Sequence, residues 1–419
     1  MDSTDKKDNY KWLLLGLVWV TYFLQQGTRQ MYNAMLPQIK EYFGGGVSEV
    51  QLGLVVSTFV LVYAFAVPFA GIASDLLRRK WVLVTGTFLF SVGIFASGFV
   101  TTIGALMITY GIVNAIGQSM VPSPSTSLIA QFHTDTRSTA LSIYQMALYV
   151  GIVICSCVSG WVSGLGPGTW RWAFLFFGAF GLVWYVVLLL FLRNTPAAVK
   201  ASVEDQTVQK PTLKDVFVEI FTKPSFLLMT LAFGMCLYGA NGFKTWMTTY
   251  LKDTFSTLTP ATAAFHGVFW FFLGALVGIA IASRISDRIA KRRPTFRVEM
   301  NFIGLVLAAP AVFLVVNVPG FVACCAALFF YGMAQGVYDS NFFAAIYDVI
   351  EPRFHAAATG IFCCGAFLIG SFAPPVLGWM SEHLSMKAGF SSLAAFYLFG
   401  ALFLVIARVF YLKRDFVKS

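Results

Sequence analysis

Arg29 stands inside the first long apolar run of the chain. Inserting a guanidinium at that depth costs at least about 2.5–3.5 kcal/mol on the more lenient scales. It has company: Tyr22, Gln25, Gln26, Arg29, Tyr32 and Asn33 recur at steps of three and four. That spacing gives a helix one polar face and leaves the rest for lipid or neighbours. Such a stripe calls for a polar cavity to look into; the competing account is that Arg29 snorkels to a headgroup layer. Facing a cavity, a guanidinium makes two parallel bonds to a carboxylate or phosphate, so its chemistry is that of an anion clamp. Lys244 is either a second positive point or another snorkelling cation. Asp339 lies well inside a later apolar run, where a carboxylate can load and release a proton. The competing account of Asp339 is a fixed ion pair with Arg29 or Lys244.

Other apolar runs carry amides and phenols at helical spacing: Asn114 and Gln118; Tyr144, Gln145 and Tyr149; Tyr238, Asn241, Lys244, Thr245 and Thr248; Tyr331, Gln335, Tyr338 and Asp339. Singly, each can be glue between helices. Together they read as the wall of a hydrophilic cavity, in which Arg29, Tyr32, Gln25, Asn114, Gln118, Gln145, Tyr149, Asn241, Lys244 and Gln335 bind the ligand.

The elements that must position them are membrane helices. The chain has 419 residues, 58% hydrophobic and 11% charged, with a mean hydropathy of +0.74. Soluble domains carry about 25% charged residues. The apolar runs are far longer than the roughly 9–11 residues of a barrel strand, so an all-α membrane protein is expected. Twelve spans are read at 12–36, 50–73, 81–99, 103–130, 139–163, 170–192, 225–250, 262–283, 297–316, 320–347, 357–380 and 390–411. The net charge of +10 is a topology signal rather than a nucleic-acid footprint. Most Lys and Arg fall in loops on one side, which places both termini and the long central loop in the cytoplasm. The first run is too long for a cleaved signal peptide and reads as a permanent helix.

The seven cysteines fall inside spans without CxxC spacing or histidine company, so no metal site or disulfide framework is expected. His133, His266, His355 and His383 lie near span ends, in loop or packing positions. No Walker loop is present, so direct ATP drive is unsupported. No nucleophile–base pair suggests an enzyme, and no cofactor is expected.

The polar stretch 193–224 divides the spans into an N-terminal six-helix bundle, 1–192, and a C-terminal one, 225–419. It reads as a cytoplasmic linker with one amphipathic helix from Leu213 to Phe221. The halves repeat: MLPQIKEYF begins at Met35 and MTTYLKDTF at Met247, while Asp75 and Asp287 sit in related basic loops at the same offset. Two pseudo-symmetric bundles about an axis along the membrane normal follow, with a site near the midplane.

Gly71, Asp75, Arg78, Arg79 and Lys80 resemble the G-x-x-x-D-R-x-G-R-R signature of the major facilitator superfamily. Asp287, Arg288, Lys291, Arg292 and Arg293 resemble its second copy. The resemblance implies a conformational latch of Asp75, Arg78, Arg79, Asp287, Arg288 and Arg292, with acids paired to bases at helix ends. Leu76 and Leu77 replace the usual Arg-x-Gly run.

Within that superfamily the chain is most similar to the anion:cation symporters, with the organophosphate antiporters second. Arg29, Ala34, Pro37 and Ile39 resemble their span-one pattern; Gln51, Gly53, Ser57, Phe59 and Tyr63 their span-two run; Trp170, Arg171, Ala173 and Phe174 the start of span six. Pro122, Arg137 and the stretch from Glu351 to Trp379 fit as well. Thr28 and Gly117 stand where the family usually has acids, and Tyr110 where an Arg is common.

The resemblance implies a secondary transporter of a small organic anion, a sugar acid or other carboxylate, across the cytoplasmic (inner) membrane. Coupling to protons or sodium is expected, through Asp339, in a chain functional as a monomer among membrane lipid. Organophosphate exchange is the main rival; a non-transporting membrane sensor is another.

Overall fold

The computed structural model describes residues 3–133, 136–193, 213–290, 292–293, 295–351 and 354–416. For residues 3–9, 45, 75–76, 138, 213–214, 216–217, 287 and 356 it describes the backbone alone. The described residues are nearly all helical. Eleven helices are long and apolar enough to cross a membrane. The remaining long helix, α1 (Ser3–Phe43), has 41 residues, ample length to span. Its polar stripe dilutes its hydropathy, so the feature that marks it for function hides it from a hydropathy scan. The chain is an integral multi-pass membrane protein.

Contacts between Cα atoms divide the chain into two units. One comprises 1–47, 58–208 and 256–265; the other comprises 48–57, 209–255 and 266–419. Helices α2 (Glu49–Leu76), α3 (Arg79–Ser97), α4 (Ile103–Leu106), α5 (Asn114–Ser119), α6 (Pro122–Phe132), α7 (Arg137–Ser163) and α8 (Trp170–Phe191) follow α1. The amphipathic helix expected in the linker is α9 (Leu213–Phe221); most of the remaining linker, 194–212, lies outside the described residues. Then come α10 (Pro224–Thr254), α11 (Pro260–Ala290), α12 (Phe296–Asn317), α13 (Phe321–Asp339), α14 (Phe342–Tyr347), α15 (His355–Gly370), α16 (Ala373–His383) and α17 (Met386–Ile406).

In the first unit α1 packs chiefly on α7, and α3 on α8. In the second, α12 packs on α13 and α17, and α10 on α17 and α15. The α11–α13 crossing has a clear cause in sequence. Gly274-x-x-x-Gly278 on α11 meets Gly332-x-x-x-Gly336 on α13. A Cβ on Gly332 would strike the Phe271 carbonyl, and one on Gly278 the Met333 carbonyl. Small residues one turn apart let two backbones touch, which is how membrane helices associate without a hydrophobic drive.

In each unit one span breaks directly after polar residues read from sequence; in the second, the span Ala357–His383 also breaks, at Ser371 and Phe372. The fourth span, Ile103–Phe132, passes through a π-turn, Met107–Val113, then breaks at Met120 and Val121 ahead of Pro122. The tenth, Phe321–Tyr347, breaks at Ser340 and Asn341, directly after Asp339.

Candidate functional site

In the first unit the Arg29 guanidinium carbon lies 5.1 Å from the Phe59 ring centroid and 4.8 Å from that of Tyr63. Phe59 and Tyr63 are four residues apart on α2, so their rings share a face; their planes are nearly parallel at 14°. Arg29 is half-exposed. Among the described residues no carboxylate pairs with it. The cation therefore rests on aromatic faces, which orient it without neutralising its charge. The phenol of Tyr110 donates to the Arg29 carbonyl at 2.7 Å. Tyr110 sits in the π-turn, where the extra residue rotates the following side chains, a feature frequent at functional sites.

A buried amide shell lies beside the clamp. Gln25 Nε2 donates to the Gln118 carbonyl at 2.7 Å. In an unbroken helix that carbonyl would receive the N–H of residue 122, but Pro122 has none. Val121 N reaches it only at 3.3 Å, so Gln25 supplies the missing donor from α1. Gln118 Nε2 in turn donates to Asn114 Oδ1 at 3.0 Å and to Thr28 Oγ1 at 3.3 Å. Gln25, Asn114 and Gln118 are all 0% exposed. Tyr32 is also fully buried, its ring 5.2 Å from that of Tyr110. These four, read as ligand contacts from sequence, stand behind the exposed wall in this conformation. Tyr149 is half-buried and Gln145 exposed. Tyr22 and Tyr144, 4.2 Å apart and stacked at 15°, lie between α1 and α7.

In the second unit Asn241, the repeat partner of Arg29, is half-buried and donates to the Gly370 carbonyl at 3.3 Å. Lys244 is half-buried over the rings of Phe271 and Phe272, at 5.5 and 5.7 Å. Asp339 ends α13, where the helix dipole disfavours an anion. Gln335 Nε2 donates to Asp339 Oδ1 at 2.9 Å. Lys244 lies within electrostatic reach, but Asp339 makes no ion pair among the described residues. Asp339 lies deep along its span, and part of its surface is exposed where the helix breaks beside it. Gln335 behind it is only 5% exposed.

The latch residues are placed at helix ends. Asp75 and Asp287 lie in the last turns of α2 and α11, and their side chains are outside the described residues. Arg78, Arg288 and Arg292 are exposed and Arg79 is half-exposed. Lys80 Nζ caps the Leu189 carbonyl at 2.9 Å. In the second unit Arg297 pairs with Asp348 at 2.6 Å, and Arg408 with Glu299 at 2.5 Å. Burial pushes the Asp348 carboxyl above the usual carboxylate range, with Arg297 pulling it back.

Sequence reasoning missed the aromatic cradle of Arg29, although the four-residue spacing of Phe59 and Tyr63 carried the signal. It also missed Tyr397 and Cys236. Sequence gives Cys236 no role, whereas its sulfur takes a hydrogen bond from Gln335 at 3.2 Å. Nothing local in sequence joins residues so far apart.

The profile of the Major Facilitator Superfamily matches residues 18–299 and 258–418. Among characterised proteins, Protein spinster homolog 1 of Xenopus laevis is 24% identical over 297 residues, covering 67% of this chain and 55% of that protein. The human Protein spinster homolog 1 is 26% identical over 318 residues, covering 72% and 59%. The chain thus spans little more than half the length of these relatives. The cis,cis-muconate transport protein of Acinetobacter baylyi is 25% identical over 378 residues, 86% of each chain. Among solved structures, an inward-facing, unoccupied bacterial homolog of the human lysosomal transporter Spinster superposes with a TM-score of 0.83 at 18% identity, covering 98% of this chain and 99% of that one. The peptide transporter POT in complex with sulfate gives 0.74 at 16% identity, covering 94% of each. Both likenesses concern the fold.

Proposed function

Because the chain belongs to the Major Facilitator Superfamily, a family of transporters, we propose that it carries a small organic anion, a carboxylate, across the cytoplasmic membrane by alternating access. Arg29 clamps the anion. Asp339 loads and releases the coupling cation, a proton. The observation that carries this reading is the state of Arg29: a half-exposed guanidinium deep in a helix, oriented by two aromatic faces and unpaired with any described acid. A permanent cation held that way gains most from an anion that arrives and leaves. The similarity to a cis,cis-muconate transport protein over 86% of the chain supports a carboxylate cargo.

The test is thermal stability of the purified protein against sugar acids, small carboxylates, sugar phosphates and neutral sugars. A ligand at 100 times its Kd stabilises by about 2.7 kcal/mol. Carboxylates are expected to raise Tm, and Arg29→Ala to abolish the rise while folding normally. Stabilisation by neutral sugars alone would overturn the clamp. Uptake that requires internal substrate and ignores pH and sodium gradients would select anion exchange instead.

A further inference from the structure

Behind Asp339 the second unit holds a fully buried hydrogen-bond chain that no part of the transport reading uses. Gln335 is its hub. One Nε2 hydrogen goes to Asp339 Oδ1 at 2.9 Å and the other to Cys236 Sγ at 3.2 Å. Its Oε1 accepts from the Tyr397 hydroxyl at 3.3 Å. Tyr397 and Tyr331 share a hydroxyl contact of 2.5 Å. Gln335, Cys236, Tyr331 and Tyr397 are all at most 5% exposed. Both amide hydrogens are thus used, and this network sets the orientation: nitrogen toward the carboxylate and oxygen toward the phenol. The chain joins three helices, α13 through Gln335, α10 through Cys236 and α17 through Tyr397. Helix α10 also carries Asn241 and Lys244.

We propose that Gln335 is a positioning residue that ties the protonation state of Asp339 to the packing of α10 against α13. Its bond to an ionised carboxylate is charge-assisted, and such bonds are about twice as strong as neutral ones. When Asp339 takes a proton, that assistance disappears, and Gln335 is held less firmly against Cys236 and Tyr397. The charged and titratable groups facing Asp339 among the described residues are Lys244 and Cys236 from α10, Tyr397 from α17, and Tyr331 and Tyr338 from its own helix. Lys244 acts in the same sense, since its attraction for Asp339 also ends on protonation. The proton's arrival is thereby felt by the helix that presents Asn241 and Lys244. This inference rests on the reading of Asp339 as the proton carrier.

Cys236 is a built-in reporter, being buried at 0% exposure. The experiment uses the full chain in proteoliposomes with the other six cysteines replaced by serine, and follows modification of Cys236 by N-ethylmaleimide between pH 5 and 8. Intrinsic thiol reactivity falls with falling pH, so the labelling rate divided by that of an exposed free thiol at the same pH gives the opening factor of the α10–α13 contact. The expected result is an opening factor roughly tenfold larger at low pH, the size of one charge-assisted bond. Asp339→Asn should show the larger opening factor at every pH. Gln335→Leu should lose the pH step; Tyr397→Phe, a milder change at the far end, should shrink it while still exchanging substrate. A pH step that persists in Gln335→Leu, or is absent from the parent, overturns the relay. These outcomes are separable from failure of the proton reading itself, which would appear as undiminished gradient-driven accumulation by Asp339→Asn.

Discussion

Arg29 owes its usefulness to what holds it. A guanidinium over two aromatic rings keeps its charge while losing rotational freedom, each ring contributing about 0.5–1 kcal/mol or more when desolvated. Replacing Tyr63 with leucine should therefore leave the protein folded and raise the KM for substrate by roughly three- to tenfold. Arg29→Lys keeps the charge but loses the bidentate fork, and transport should fall at least about tenfold; normal transport would remove Arg29 from the mechanism. Gln25 calls for the opposite expectation. Its amide serves the Gln118 carbonyl that Pro122 deprives of its helical donor, so Gln25→Leu should cost about 1–3 kcal/mol of stability. Substrate affinity in the surviving folded protein should change little, as measured by ligand-induced shifts in Tm.

Helices in this chain are shaped by their exceptions. The fourth and tenth spans break beside their polar residues, which frees backbone groups and turns side chains that a straight helix would keep in line. Such interruptions are tolerated in membranes only where protein or a cavity satisfies the backbone. The α11–α13 crossing depends on four glycines. Gly336→Leu places a branched side chain against the α11 backbone, and overpacking of this kind costs about 1–3 kcal/mol. Reduced Tm together with loss of the Asp339-dependent pH response would show that this crossing positions the acid. Near the helix ends, Arg297 offsets the burial of Asp348. Arg297→Leu leaves that carboxylate half-buried and unpaired, so the variant should be less stable at neutral pH. The sign is clear: a group whose folded pKa is raised loses stability as pH rises through it. The deficit should shrink on acidification and be absent once Asp348 is protonated in both folded and unfolded states.

At the scale of the whole molecule, both units place polar side chains on helices that are otherwise apolar, but they carry different chemistry. Among the described residues, the first holds in Arg29 a cation that pairs with no acid, and the second in Asp339 an acid that makes no ion pair. A division of labour follows for the proposed transport cycle, with anion recognition in one unit and proton handling in the other. Asp339→Asn should keep substrate exchange, which needs only binding and alternation, and lose accumulation driven by a proton gradient. Equal accumulation by parent and variant in a counterflow-and-gradient pair of assays would remove Asp339 from coupling.

Composition and periodicity alone determined the all-helical membrane class, the internal repeat, the amphipathic α9 and the stripe on α1. These depend on local hydrophobicity and on helix geometry, which a single segment carries within itself. Arg29 and Asp339 were legible for the same reason, since a charge in an apolar run is costly wherever the run folds. Which polar residues are exposed and which are sealed between helices was decided only by tertiary structure. Gln25 and Gln145 look alike in sequence, yet one is sealed against a backbone carbonyl and the other exposed. The breaks at Met120 and Ser340, the cradle of Phe59 and Tyr63, and the Gln335–Cys236–Tyr397 chain arise from contacts between helices distant in sequence. Their orientation is fixed by packing and hydrogen-bond satisfaction, and no one segment encodes either.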